Sequence, residues 1–140
     1  MIVLQPQAQQ VIIEDAVRAF PDECCGFLYG YDDESGRRVI TQAQVVNNAK
    51  EGDKRRRFEI APYDYLDAEK YAEQQQVQLL GIYHSHPNHP AVPSEHDRVA
   101  AQPFFSYIII SVNDKQPGLI RSWRLNDEFQ FEEENNHLLA

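Results

Sequence analysis

Three potential metal ligands lie close together in the second half of the chain. His84 and His86 follow an apolar, partly β-branched run at residues 77–83, which predicts a strand. Side chains two residues apart share one face of a strand, so both imidazoles can reach one metal ion. Prolines then interrupt regular structure, and Ser94 opens a short helical segment with Asp97 on the same face. This turn can bring the Asp97 carboxylate back to the histidines.

Two imidazoles and one carboxylate are a ligand set typical of catalytic zinc. Three protein ligands leave the fourth tetrahedral position to water or substrate. Zinc lowers the pKa of water to about 7 and polarises a carbonyl group, but hydrolysis also requires a nearby general base. Glu23 is the best candidate for this base, with Asp22 and Glu59 as nearby alternatives. Iron or cobalt would accept the same nitrogen and oxygen ligands.

Each part of this pattern also has an ordinary structural explanation. Ser94 and Asp97 fit a variant of the helix capping box, and the two histidines could be solvated residues at the end of a strand. Glu23 by itself could be an exposed acid at the end of a helix. The metal interpretation therefore depends on the conjunction of all these residues. His89 and His96 stand outside the pattern, and we expect them at exposed loop and helix positions.

The same residues resemble the motif of the JAMM metalloproteases, also called MPN+ or Mov34/PAD-1-type domains. That motif is a Glu, then His-Ser/Thr-His-Pro, six residues, Ser, two residues and Asp. Every position is filled here, by Glu23, His84, Ser85, His86, Pro87, Ser94 and Asp97. The resemblance includes the Pro-x-Glu-x-Cys-Gly segment at residues 21–26 and the Val-Val-Asn-Asn-Ala stretch at residues 45–49. It extends over roughly residues 1 to 133, which we take as one domain.

The resemblance implies a role for each of these residues. His84, His86 and Asp97 would bind one zinc ion, Glu23 would be the catalytic base, and Ser94 would help to hold the oxyanion. It also implies an α/β fold, a mixed β-sheet flanked by helices that is similar to the fold of cytidine deaminases. A zinc deaminase itself would need His-x-Glu and Pro-Cys-x-x-Cys, and this sequence has no Cys-x-x-Cys. The implied enzyme is a zinc metallopeptidase, a hydrolase of JAMM type.

The resemblance further implies a substrate class. Members of the family cut peptide or isopeptide bonds after the C-terminal Gly-Gly of ubiquitin or ubiquitin-like proteins. Between Asp97 and Phe104 this chain has no room for the long insertion with which eukaryotic deubiquitinating members grip ubiquitin. It resembles compact prokaryotic stand-alone members that act on ubiquitin-like sulphur-carrier proteins, by trimming the tail or by releasing cysteine carried on it.

The expected partner is thus the C-terminal tail of such a carrier. We expect the tail to lie along the sheet edge near the metal by β-augmentation, with glycines required by a narrow channel. The alternative is a catalytically inactive MPN scaffold that serves as an interaction module. The carrier, the choice between a peptide and an isopeptide bond, and the oligomeric state stay open at this point.

Composition agrees with one domain over residues 1–133 and a frayed tail at residues 134–140. A net charge of −9 and a pI near 4.9 disfavour nucleic acid and anionic membranes as partners. The adjacent Cys24 and Cys25 would form only a strained disulfide, and the N-terminus carries no signal-peptide pattern, so we expect a cytoplasmic protein. The basic run at residues 54–57 could receive a carboxylate or an acidic surface, although a solvated loop is the simpler explanation.

Periodicity and turn residues predict alternating helices and strands. The predicted helices cover residues 7–20, 63–75 and 95–101, and the predicted strands cover residues 25–31, 39–47, 58–60, 77–83, 104–112, 118–125 and 128–133. The strand at residues 104–112 is expected to be central and buried on both faces. The second helix is expected to direct five side chains inward, Tyr63, Leu66, Ala68, Tyr71 and Ala72.

Overall fold

One mixed β-sheet organises residues 1–138, the part of the chain that the computed structural model describes. Its strands in chain order are β1 (Ile2–Leu4), β2 (Cys25–Asp32), β3 (Arg38–Val46), β4 (Gln78–Pro87), β5 (Ser106–Asn113), β6 (Gln116–Leu125), β7 (Phe131–Glu133) and β8 (Asn136–Leu138). In space they follow the order β7-β6-β5-β4-β2-β3-β1-β8. The helices are α1 (Pro6–Ala19), α2 (Pro62–Gln75) and α3 (Glu95–Ala100). The expected mixed sheet with flanking helices is confirmed.

Helices α1 and α2 contribute to two separate hydrophobic clusters that share the strands of the sheet. Ala8, Ile12 and Ala16 of α1 recur at helical spacing and pack with Leu28 and Ile110 in the first cluster. In the second, the small residues of α2 pack with the other side chains of β2 and β4, namely Ala68 and Ala72 with Phe27, Tyr29 and Ile82. Alternate residues of β2 enter the two clusters, as expected for a strand covered on both faces.

Strands β4 and β5 form the parallel centre of the sheet. Every residue of β5 except its last is buried, which confirms the prediction for residues 104–112 apart from its first two positions. Gly81 of β4 allows a close backbone approach here, because an added Cβ would lie 1.9 Å from the carbonyl oxygen of Ser106. The centre of the sheet is therefore tightly packed and supports the residues at the carboxyl end of β4.

The prediction for the inward face of α2 is wrong at two positions. Tyr63 and Leu66 are 68% and 52% exposed. Tyr65 faces the sheet instead, with its ring 5.2 Å from the ring of Phe27. The buried stripe of the helix runs through residues 65, 68 and 72, which share one face at i, i+3 and i+7, while residues 63 and 66 lie on the other side.

The predicted strand at residues 58–60 is also wrong, because these residues belong to no strand. They form an extended segment whose backbone bonds to Asn48 and Ala49: the Arg57 carbonyl accepts from the Asn48 side chain, and the Ala49 N–H donates to the Glu59 carbonyl. The apolar side chain of Phe58 stacks on the ring of His84 at 4.6 Å. Apolar residues that face a site can imitate the alternation of a strand.

The expected frayed tail at residues 134–140 is wrong over residues 136–138. These form β8, which pairs in parallel with β1, and the N–H of Ile2 donates to the carbonyl of Asn135 at 2.9 Å. Residues 139–140 lie outside the described part of the chain. Sequence reasoning missed β1 and β8 because three residues are too few to show a period. Within residues 1–138 no helix has the length and apolar character needed to cross a membrane.

Candidate active site

The three predicted metal ligands converge at the carboxyl end of β4. The Nε2 atoms of His84 and His86 are 3.1 Å apart, and Oδ2 of Asp97 lies 3.3 Å from each of them. Bonds of about 2.0–2.1 Å at tetrahedral angles would place zinc ligands about 3.3 Å from one another. Nδ1 of His86 is 2.8 Å from the Pro90 carbonyl oxygen, so a neutral His86 carries its proton on Nδ1 and directs a lone pair toward the other ligands. The residues fit a divalent metal.

The charges of this triad also favour a cation. Burial holds the pKa of His84 below its ordinary value, against the opposing effect of Asp97, and so favours the neutral imidazole that metals bind. Burial alone would raise the pKa of Asp97, but His84, His86 and the Ser94 N–H outweigh it and hold that pKa well below its usual range. Burial alone would lower the pKa of His86, but the hydrogen bonds to Asp97 and Pro90 outweigh it and raise that pKa. A bound metal would therefore compete with a proton on His86.

Glu23 is a buried carboxyl group at the point where the chain enters β2, with only 6% of its surface exposed. Its backbone N–H donates to the Lys54 carbonyl at 2.7 Å, and its carbonyl accepts from the Asn48 side chain at 3.1 Å. Burial raises the pKa of Glu23 to about 8, with Asp97 adding to the effect and His86 and Arg57 opposing it. A carboxyl group with a pKa near the working pH is suited to take up and return a proton.

Ser94 is the N-cap of α3 and forms a complete capping box. Its Oγ accepts from the Asp97 N–H at 3.0 Å, while Oδ2 of Asp97 accepts from the Ser94 N–H at 2.9 Å. The capping and metal interpretations are therefore compatible, because the same box holds the Asp97 carboxylate beside the histidines. Oγ acts as an acceptor in the box, so the hydroxyl proton of Ser94 is free to donate elsewhere.

Two further residues hold Glu23 in place. Ser85, between the two histidines, accepts the Cys24 N–H on its Oγ at 2.9 Å, and its own N–H donates to the Cys24 carbonyl at 3.3 Å. Asn48 donates to the carbonyls of Glu23 and Arg57 and accepts from two backbone N–H groups, those of Lys50 and Glu59. Sequence reasoning assigned neither residue a role, although one lies inside the motif and the other inside the stretch at residues 45–49.

Two cavities border the triad. The Glu23 cavity, of about 430 Å³, is lined by Glu23, Arg56, Arg57, His86, His89, Pro90, Val92 and Ser94. The Phe58 cavity, of about 330 Å³, is lined by Phe58, Glu59, Ile60, Tyr65, Ile82, His84, His96, Asp97, Ala100 and Tyr107. The base candidate and the Ser94 hydroxyl thus lie on the first side, and a largely aromatic and aliphatic wall lies on the second.

Known proteins are similar to this chain in sequence and in fold. Residues 5–126 match the family described as prokaryotic homologs of the JAB domain. The chain belongs to this family. A desampylase of Pyrococcus furiosus is 30% identical over 128 residues, which are 91% of this chain and 84% of that protein. A CysO-cysteine peptidase of Mycobacterium tuberculosis is 27% identical over 139 residues, 97% of this chain and 90% of the relative.

Solved structures agree with the JAB assignment. A protein from Desulfitobacterium hafniense superposes with a TM-score of 0.85 at 30% identity, covering 99% of this chain and 93% of its own. A JAB1/MPN domain protein from Archaeoglobus fulgidus superposes with a TM-score of 0.64 at 18% identity over the whole of both chains, which shows the shared fold. The resemblance to JAMM/MPN+ domains is therefore confirmed for the family and the fold.

Within this JAB domain, the structure favours Glu23 as the candidate base over the two alternative acids, Asp22 and Glu59. Glu59 is exposed and pairs with Lys50 at 3.4 Å, and Asp22 lines neither cavity beside the triad. His89 and His96 are exposed, as expected. The catalytic role of Glu23 and of Ser94 and the metal-binding role of the triad stay predictions.

The expected pairing of the substrate tail with a sheet edge near the metal stays a prediction. Strand β4 pairs with β5 as far as Pro87 but with β2 only as far as His84, and beyond His84 the Ser85 N–H donates to the Cys24 carbonyl. The extended segment at residues 57–60 also lies beside the site. Within residues 1–138, the backbone groups of Phe58 and Ile60 make no hydrogen bonds, whereas their neighbours bond to Asn48 and Ala49.

Proposed function

We propose that this chain is a zinc-dependent peptidase that hydrolyses the bond after the C-terminal Gly-Gly of a ubiquitin-like protein. The substrate we put first is a prokaryotic sulphur-carrier protein, trimmed at its tail or relieved of carrier-bound cysteine. One observation carries the proposal: a His-His-Asp triad with the spacing of metal ligands shares a cavity border with a buried glutamate. The relatives named desampylase and CysO-cysteine peptidase support hydrolysis.

The residues around the triad would divide the work of hydrolysis. Zinc held by His84, His86 and Asp97 would polarise the carbonyl group of the substrate and lower the pKa of water. Glu23 would accept the proton of the attacking water on its carboxylate and then deliver it to the leaving amine. The Ser94 hydroxyl would donate to the oxyanion that develops on the carbonyl oxygen. Burial raises the pKa of Glu23 to about 8 in the metal-free protein, which suits a group that both takes up and returns a proton.

We assign the acyl part of the substrate to the Phe58 cavity. An extended tail could pair there with the free backbone groups of Phe58 and Ile60, which is an alternative to the pairing with the sheet edge that we expected from the sequence. Tyr65 and Tyr107 form aromatic walls of this cavity, and we propose that they crowd side chains next to the scissile bond. Two glycines would fit such a channel, so a carrier with Gly-Gly changed to Ala-Ala should be cleaved far more slowly.

The test begins with bound zinc per chain by elemental analysis, comparing the wild type with His86→Ala after identical purification. We expect near one zinc in the wild type and little in the variant. The wild type and Glu23→Gln are then incubated with ubiquitin-like carriers extended by one residue beyond Gly-Gly, and products are identified by mass spectrometry. We expect Glu23→Gln to keep its zinc and lose turnover, because Gln cannot accept the proton.

Two outcomes would contradict this proposal. An absence of zinc from the wild type, even after metal is added, would leave the catalytically inactive MPN scaffold as the better function. Full activity in a zinc-loaded Glu23→Gln protein would remove Glu23 from the mechanism.

A further inference from the structure

Two arginines line the same cavity as the base candidate. Arg56 and Arg57 border the Glu23 cavity together with His86 and Ser94. Under the proposed mechanism the amine that leaves must receive its proton from Glu23, so the leaving group occupies this side of the triad. A pair of cations therefore faces the leaving group, in a chain whose net charge is −9.

We propose that Arg56 and Arg57 bind the free α-carboxylate of the leaving group. The chain would then release a C-terminal amino acid by cutting a main-chain peptide bond, in preference to a lysine isopeptide bond. This inference rests on the proposed function and narrows its substrate class. Water adds its oxygen to the carbonyl carbon of the second glycine, the C–N bond breaks, and the nitrogen takes a proton by way of Glu23. The products are a carrier ending in Gly-Gly and a free amino acid.

Covalent geometry explains why residues that bind this carboxylate must lie beside the proposed base, Glu23. In a C-terminal amino acid one Cα separates the leaving nitrogen from the carboxyl carbon. The carboxylate therefore lies within about 3 Å of the nitrogen that Glu23 would protonate. Arg57 is close enough to Glu23 to lower the pKa of its carboxyl group. The ε-amine of a lysine carries no anion at this distance, so an isopeptide bond would leave the two arginines unused.

The guanidinium groups are available for this role. Arg57 donates one bond, from Nη1 to the Arg56 carbonyl at 2.9 Å, and within residues 1–138 neither arginine pairs with a carboxylate. A guanidinium presents a planar fork of donors that matches a carboxylate. The backbone that carries Arg57 is itself held, because its carbonyl accepts from Asn48.

The basic run at residues 54–57 divides into two pairs, which offers a matched control. Lys54 and Arg55 border a different hollow, formed by the loop at residues 47–55, and do not line the Glu23 cavity. Arg55 pairs with Asp53 at 3.3 Å. The double variants R56Q/R57Q and K54Q/R55Q therefore remove the same charge from the same loop, but only the first removes it from the cavity.

The experiment uses one ubiquitin-like carrier in three semisynthetic forms: Gly-Gly-Ala with a free carboxylate, the same tail as its C-terminal amide, and Gly-Gly joined to the ε-amine of a lysine peptide. We expect the wild type to cleave the acid with a kcat/KM about tenfold above the amide, from one charge-assisted interaction at a partly solvated site. The isopeptide should be the poorest of the three. R56Q/R57Q should abolish the preference for the acid, and K54Q/R55Q should keep it.

The ratio of kcat/KM for the acid to kcat/KM for the amide separates recognition of the carboxylate from indirect effects on catalysis. Loss of Arg57 also changes the pKa of Glu23, but that change acts on both substrates equally. In Glu23→Gln, which cannot turn over, the Kd for the acid should likewise lie about tenfold below the Kd for the amide. Equal cleavage of acid and amide by the wild type, or an equal loss on both in R56Q/R57Q, would overturn this inference and leave the proposed function standing. Cleavage of none of the three forms would overturn the proposed function as well.

Discussion

The strand that carries the histidines and the loop that faces it are built in opposite ways. Strand β4 pairs with β5 through both histidines and with β2 as far as His84, and both histidines are buried. The loop at residues 47–61 has no regular secondary structure and is held by a few contacts, chiefly the bonds of the Asn48 side chain, the bond between Glu23 and Lys54, and the stacking of Phe58 on His84. Ligands must keep their positions to within a fraction of an ångström, whereas a substrate can be read by groups on a less regular loop. Under the proposed function, the difference teaches that the two histidines are held rigidly by the sheet, whereas the groups that would select the substrate lie on the loop.

After the loss of the base itself, the largest effect on turnover that we expect comes from Ser94, which lines the Glu23 cavity together with His86 of the strand and Arg57 of the loop. Ser94→Ala would remove the proposed donor to the developing oxyanion, a loss of about 3 to 4 kcal/mol in comparable sites, so kcat should fall a few hundred-fold. The measurement is steady-state cleavage of the carrier, with zinc content determined in parallel. Ser94→Thr keeps a hydroxyl and a capping side chain and should retain most activity. A normal kcat in Ser94→Ala would leave Ser94 as a cap alone.

Glu23 should destabilise the metal-free protein at high pH. Burial raises its folded-state pKa from 4.5 to about 8. The folded state is therefore favoured while Glu23 is protonated, and this contribution to folding stability is lost as the pH rises from 4.5 through 8. Glu23→Gln imitates the protonated form and should gain on the order of 5 kcal/mol over the wild type by pH 9. Denaturant unfolding with a chelator at pH 5 and pH 9 measures this. A stability difference independent of pH would contradict it.

Asn48 tests how far the loop depends on one side chain. Asn48→Ala would remove four hydrogen bonds, to the carbonyls of Glu23 and Arg57 and from two N–H groups of the loop, and we expect kcat/KM to fall about thirtyfold, which is about 2 kcal/mol. Zinc content should not change, because no ligand lies on the loop. The neighbouring Asn47→Ala is the matched control and should behave like the wild type. Loss of zinc from Asn48→Ala would mean that the loop supports the metal centre as well.

Ser85 should show the smallest effect, as a test of the strand. Ser85→Ala leaves the buried Cys24 N–H without its partner and should cost about 1 to 2 kcal/mol of folding free energy. Ser85→Thr keeps the hydroxyl and should cost less. Chemical denaturation of the metal-free proteins measures both. Equal stability of Ser85→Ala and the wild type would show that this bond does not tie Glu23 to the metal strand.

The sequence predicted the site better where its residues are contiguous. His84, His86, Ser94 and Asp97 fall within fourteen residues, so strand alternation and one helical turn suffice to bring them together. Asn48 could not be assigned a role in this way, because its importance arises from bonds to two segments that are distant in sequence or irregular in structure. The same reasoning failed for residues 58–60, where an extended segment held by a side chain imitates a strand.

For the fold, long periodic segments were predictable and short ones were not. Helix α1 shows its period over many residues and strand β5 forms a long, nearly continuous apolar run, and the structure confirms both. Strands β1 and β8 each have three residues and exist because the two ends of the chain meet at the edge of the sheet. The exposed side of α2 was misjudged because Ala68 and Ala72, rather than the larger Tyr63 and Leu66, set the closest approach to the sheet.

The sequence by itself determined the ligand types, their spacing and the family, since these depend on residue identity along one short stretch and on local geometry. Only the tertiary structure decided that Glu23 is buried beside the triad, that β4 lies between β2 and β5, and that Arg56 and Arg57 line the Glu23 cavity while Lys54 and Arg55 do not. Burial, strand order and the walls of a cavity arise from segments far apart in the chain. They become defined only when those segments pack together.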